Sequence, residues 1–379
     1  MLQLPPLSLY IHFPWCVKKC PYCDFNSHQL KTKLPDSDYL NSLLNDLKIH
    51  LNDMQGRQFQ SIFLGGGTPS LFPTNSLSLL FNYLFNENLV AENAEITLEV
   101  NPGTVERGLF KDYKAMGINR ISLGVQSFQN DKLKQLGRIH NKDEIYIAVN
   151  EIKTSGIENF NLDLMHGLPN QNTKDALFDL SEAIKLSPTH LSWYQLTLEP
   201  NTQFERQPPL LPDEAILEAI ELQGKALLAE NQFKHYEVSA YAKNGLFSVH
   251  NMNYWQFGDY IGIGAGAHSK VTYVKQNAIK RYWKVKHPKF YLKSNAYVSG
   301  SEIVDSKQLI YEFALNALRL NFGFSYDLFE SRTGLNRNVL TTIINKALKL
   351  ELIDNTIENQ LIPTYKGRLY LNNLINLFS

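Results

Sequence analysis

Every cysteine in the chain lies in one stretch, Cys16-Val17-Lys18-Lys19-Cys20-Pro21-Tyr22-Cys23. Three thiols this close can wrap a single inorganic centre, and no fourth cysteine exists to complete a four-thiolate site. A [4Fe-4S] cube takes four ligands, so three cysteines leave one iron with an open position. A structural zinc site would be closed by four protein ligands, and a Cys3His set drawing on His28 or His12 would supply them. Zinc clips usually staple folds too small to hold themselves together, which a chain of 379 residues does not need. Pro21, Trp15, Tyr22 and Phe25 would shield a bound centre from water. Lys18 and Lys19 either favour the thiolate forms or lie on a solvated loop.

The elements that must position this loop follow from the pattern around it. Short apolar or alternating runs recur at 7–13, 61–64, 95–100, 120–125, 160–165 and 190–197. Between them, helical spacing of apolar residues covers 36–54, 74–86, 104–116, 143–155 and 173–186, several of these segments opening on Asp or Thr as an N-cap should. Strand alternating with helix means parallel pairing through right-handed crossovers, hence an α/β fold with an open or closed barrel of six units. Barrel chemistry sits at the C-terminal ends of the strands. The cysteine loop follows the first strand, and Gly65-Gly66-Gly67-Thr68-Pro69 follows the second, where missing side chains let backbone amides approach a ligand. Later rims carry Glu99 and Asn101, Gln126, and the run from Asp163 to Pro169, with Arg138 nearby as a fork for a carboxylate.

Composition narrows the class. Lysine plus arginine equals aspartate plus glutamate at 37 each, so no bulk field gathers nucleic acid or an anionic membrane. The first residues lack a basic region followed by an apolar run, and no apolar stretch approaches the roughly 20 residues of a membrane helix. Clustered cysteines without others suit a reducing compartment, so a cytoplasmic protein is expected.

A second constellation lies at His250-Asn251-Met252-Asn253-Tyr254-Trp255. A neutral imidazole is a normal haem ligand, and Tyr254 and Trp255 offer flat apolar faces to a porphyrin. The plain alternative is a bonded histidine with core aromatics, and Met252 is either a second soft ligand or a gap-filler. The small-residue run 261–269 suggests a strand or loop lying close to another backbone, not a dinucleotide fingerprint. Residues 275–293 interleave lysines with aromatics, which suits nucleic acid, porphyrin propionates or a hairpin with a solvated basic face. From about 307 the pattern is helical at 309–320, 326–331 and 337–349, then a two-strand signal at 352–363 and a last helix at 365–374. This describes a small, mostly helical, winged-helix-like domain whose acidic wing argues against DNA.

The C-x3-C-x2-C spacing with Tyr22 before the last cysteine resembles the radical S-adenosylmethionine (SAM) superfamily. Tyr10 to Cys16, Gly65 to Pro69, Gly124 to Phe128 and Asp163 to Pro169 resemble its coproporphyrinogen III oxidase-like branch, most closely the HemW haem chaperone group. The resemblance covers roughly the first 200 residues, and more loosely the rest. It implies a partial (β/α)6 TIM-like barrel holding a [4Fe-4S] cluster on Cys16, Cys20 and Cys23. SAM would chelate the open iron and be cleaved to a 5'-deoxyadenosyl radical. Tyr10, Gly66, Gly67, Thr68, Glu99, Gln126, Arg138 and Asp163 would contact SAM.

The resemblance also assigns haem to the His250, Tyr254 and Trp255 element. The oxidases carry a further cysteine where this chain has Phe25, and an N-terminal extension absent here. The expected function is therefore haem binding and transfer to acceptors such as respiratory haem enzymes, with radical oxidation of coproporphyrinogen III as the alternative. A homodimer and peripheral membrane contact through acceptors are compatible with this. The expected division is a barrel over 1–235, a connecting region over 236–300 and the C-terminal domain over 301–379.

Overall fold

Strands of a parallel sheet covered by helices are rich in apolar residues, and six runs of this chain are mostly apolar or alternating. The computed structural model describes residues 1–104 and 108–379 and lays these runs side by side in parallel. They are β1 (Leu7–Phe13), β2 (Phe59–Gly66), β3 (Val90–Val100), β4 (Arg120–Gln126), β5 (Asn159–His166) and β6 (His190–Gln195). Each pairs in parallel with the next. The return segments contain α1 (Asp36–Lys48), α2 (Thr74–Asn86), α3 (Leu109–Ala115), α4 (Lys142–Ser155) and α5 (Thr173–Lys185), with α6 (Glu214–Glu230) after β6.

This is the expected partial (β/α)6 barrel. Residues 105–107 of the helix expected at 104–116 lie outside the described residues. Local chemistry sets the ends of α4: Asn141 accepts the Asp143 and Glu144 amides, Glu144 accepts the Asn141 amide, and Gly156 closes the helix at φ 79°.

The sheet continues past the sixth strand. Beyond β6 lie antiparallel β7 (Lys234–Glu237) and β8 (Ala240–Ala242), with β8 next to β6. Helix α7 (Val249–Trp255) then leads to β9 (Asp259–Ile263), which pairs in parallel with β1 on the opposite edge. Antiparallel β10 (His268–Tyr273), β11 (Ala278–Lys284) and β12 (Val298–Ile303) extend that edge to complete a 12-stranded sheet. The hairpin expected within 275–293 is not basic on a solvated face throughout. Lys284 is fully buried and paired with Asp46 and His50, because a buried cation needs a partner.

Past the sheet, α8 (Ser306–Ala317), β13 (Phe324–Ser325), α9 (Tyr326–Thr333), α10 (Thr341–Lys349), β14 (Ile353–Asp354) and β15 (Gln360–Pro363) form the C-terminal unit. Phe313, Phe329, Leu340, Leu361 and Leu374 form its core, joined by Phe257 and Ile279 from the sheet side. Among the described residues no helix is long and apolar enough to cross a membrane.

Candidate functional site

The C-terminal ends of the barrel strands converge on the cysteine loop. Gly67 N–H donates to Phe13 O at 2.6 Å and Thr68 N–H to Trp15 O at 2.8 Å, which ties the glycine run to the start of that loop. A side chain on Gly67 would come within 2.5 Å of the Trp15 carbonyl, so glycine is required there. Together these elements enclose a cavity of about 350 Å³ walled by Cys16, Cys20, Cys23, Gly66, Gly67, Thr68, Glu99, Gln126, Arg138 and Asp163. Ten of the residues singled out from sequence therefore meet in one place.

The three thiols are free and half-buried. Arg138 is half-buried in this wall, with Nη2 donating to Gly124 O at 2.7 Å and Nη1 3.8 Å from Cys20 Sγ. Ser27 Oγ lies 3.5 Å from Cys23 Sγ. Among the described residues, no three His, Cys, Asp or Glu side chains are placed to hold a single ion. The histidines weighed for a zinc site are engaged with other groups, His12 through both ring nitrogens and His28 through one. His12 is committed through Nδ1 to Tyr10 OH at 2.9 Å and through Nε2 to Asn26 O at 3.0 Å, and His28 Nε2 meets Asn26 Oδ1 at 3.1 Å. Three thiols spread around a cavity, one beside a guanidinium, fit a polynuclear centre with an open metal position. The expected water shield is only partly present, since Trp15 and Tyr22 are covered but Phe25 is 62% exposed.

Two carboxylates, Glu99 and Asp163, line the same cavity. Burial, reinforced by the neighbouring Asp163, pushes Glu99 up to about 7, although the Gly66 amide that donates to it at 3.1 Å opposes the shift. Burial also raises Asp163, which accepts from Ser122 at 2.9 Å and Asn161 at 2.8 Å. Gln126 holds a left-handed φ of 69°, backbone strain of the kind stored at ligand sites, and its Oε1 accepts Tyr194 OH at 2.9 Å. Tyr194, Ser122 and Ser192 line the cavity but have no sequence signal, because in β4 and β6 they read as ordinary strand positions.

Tyr10 and Tyr254 lie elsewhere, in an adjoining cavity of about 350 Å³ that shares Phe25, Gly66 and Glu99 with the first. His250, the residue expected to meet haem, is enclosed in the core. The ring is 1% exposed, with Nδ1 bonded to Ser61 Oγ at 3.0 Å and Nε2 to Tyr254 OH at 3.2 Å. Burial drives it down to about 3, with Arg120 adding to the shift, so it is a neutral, fully bonded core group. Trp255 is separate again, its ring 4.4 Å beneath the Arg319 guanidinium. A polar chain runs from Ser8 through Ser61 to His250 in the core, and it binds the element to β1 and β2.

Comparison with known proteins agrees with this architecture. Residues 10–180 match the radical SAM superfamily model. The chain is 50% identical to a heme chaperone HemW of Haemophilus influenzae, covering 100% of this chain and 99% of that protein. The chain belongs to the HemW family. A heme chaperone HemW of Escherichia coli is 48% identical, again over 100% of this chain and 99% of its own length. Coproporphyrinogen III oxidase (HemN) from Escherichia coli superposes with a TM-score of 0.81 at 24% identity, covering 99% of this chain and 90% of that one, which shows the shared fold.

Proposed function

We propose that the chain is a haem chaperone that takes up haem and passes it to haem-accepting proteins, and that it carries a SAM-bound [4Fe-4S] cluster. The observation that carries the reading is 50% identity to a HemW chaperone along both chains from end to end. Cys16, Cys20 and Cys23 would hold the cluster, whose open iron supplies Lewis-acid coordination and, when reduced, an electron. Glu99 is suited to the ammonium of SAM and Arg138 to its carboxylate, while Gln126 and Asp163 offer acceptors for ribose hydroxyls. The glycine run brings backbone amides to the same cavity without a blocking side chain.

Radical oxidation of coproporphyrinogen III is the second reading. The cavity joining polar acceptors to three thiols favours it, because that site is as suitable for catalysis as for binding. One experiment separates the two readings. Anaerobically reconstituted protein is titrated with haem at the Soret band, and a parallel sample receives SAM, reductant and coproporphyrinogen III. Saturable haem binding without porphyrinogen consumption supports the chaperone. Porphyrinogen turnover without haem binding overturns it.

A further inference from the structure

A larger groove lies on the other side of the cysteine loop. Its volume is about 1180 Å³, somewhat above the usual range for small-molecule pockets. Its walls come from the loop after the cysteines and from residues 287–293 beyond β11. Asn26 pins the two together, donating to Ala265 O at 2.9 Å and Lys286 O at 2.8 Å. Ser27 lines both this groove and the cysteine cavity.

The groove is cationic in a chain of zero net charge. Lys19, Lys31, Lys33, Lys289 and Lys293 line it against a single carboxylate, Asp38. None of these lysines forms an ion pair with a described residue, so their charge is available to an anion. Between them lie apolar surfaces from Trp15, Leu30, Pro288 and Leu292, which would suit a flat ring. Two imidazoles also lie side by side in the groove wall, with the His28 and His287 rings 5.0 Å apart and tilted by 59°. Asn26 occupies Nε2 of His28, and the Lys289 amide donates to Nδ1 of His287 at 3.2 Å. One nitrogen on each ring has no partner among the described residues. Burial, with His287 and Lys19 beside it, lowers His28 and keeps it in the neutral form that ligates iron.

We propose that this groove binds a metalloporphyrin carrying carboxylates, with the His28 and His287 pair supplying the iron ligand and the lysines meeting the carboxylates. The proposal rests on the haem-chaperone reading and gives that function a site away from His250. The ring would then lie against the loop that carries the three thiols.

The test uses the full, cluster-reconstituted chain titrated with haemin and with haemin dimethyl ester, which lacks the carboxylate charges. Two variants are compared with the unaltered chain: His28→Ala with His287→Ala, and Lys31→Glu with Lys33→Glu, Lys289→Glu and Lys293→Glu. The histidine variant should shift the Soret maximum and weaken haemin binding by about tenfold or more. The lysine variant should weaken haemin by about tenfold while leaving the ester within about threefold. Unchanged haemin affinity and spectrum in both variants, at unchanged iron content, overturn this site alone. Absence of saturable haemin binding by the unaltered chain overturns the chaperone reading as well.

Discussion

Glu99 Oε2 accepts the amide of Gly66 at 3.1 Å, joining the rims of the second and third strands in the wall of the cysteine cavity. Burial, reinforced by Asp163, pushes Glu99 up to about 7. An ammonium ligand needs the carboxylate form. SAM affinity should therefore be nearly full by about pH 8, fall as the pH drops through 7, and be about tenfold lower at pH 6. Calorimetric titration of reconstituted protein between pH 6 and 8 checks this. The Glu99→Gln variant should bind weakly with a flat profile; an unaltered slope in that variant would move the titration to another group.

Arg138 connects the SAM wall to a thiol, since Nη2 is fixed by Gly124 O and Nη1 approaches Cys20 Sγ. Arg138→Met should lower SAM affinity by about 2 kcal/mol, the worth of a hydrogen bond to a charged group, while the iron content stays the same. Iron analysis beside calorimetry makes the check. Loss of iron would mean that the guanidinium serves the cluster instead of the cofactor.

Gly66 has φ 106°, and a Cβ there would strike the His12 imidazole. That ring bridges Tyr10 to the Asn26 carbonyl, so the clash would reach both cavities. Gly66→Ala should destabilise the fold by about 1–3 kcal/mol through strain alone. Urea denaturation followed by tryptophan fluorescence measures it. A midpoint shift of less than a few tenths of a molar would show that the rim yields at little cost.

The sequence and the structure part company where burial, not pattern, decides. Strand β1 occupies the residues the apolar run marks, 7–13, and α2 likewise fills 74–86, because in both the periodicity matches the covered face. Strand β3 begins at Val90 and not at 95: Glu92 and Asn93 break the apolar pattern, and Val90 pairs with Phe59 before the register shifts to Ser61 and Glu95. Residues 275–293 read as a hairpin with a basic face, yet Lys284 is buried against Asp46 of α1, far away in the chain, and Lys270 of β10 is likewise buried against Asp259 of the adjoining β9. At the site, ten residues were legible because glycines, thiols and charged groups at strand ends are costly without a ligand. Tyr194 was not, for its hydroxyl reports nothing until Gln126 is folded beside it. His250 shows a different limit: the sequence marks a ligand-type residue near aromatics but not that Ser61 and Tyr254 lie on its two nitrogens.

That enclosure makes the last prediction a separation of stability from binding. His250→Ala removes a buried ring and leaves Ser61 Oγ and Tyr254 OH each without one partner, while the backbone bond from residue 250 to Glu95 Oε1 persists. Lost packing and unsatisfied hydroxyls should together cost about 2–4 kcal/mol. Haem affinity of the folded protein should change by less than about threefold, because the ring has no free nitrogen to lose. Denaturant unfolding and Soret titration of the same preparation decide between the two roles. A stable variant with tenfold weaker haem binding would return the ligand to His250 and require that α7 open to receive it.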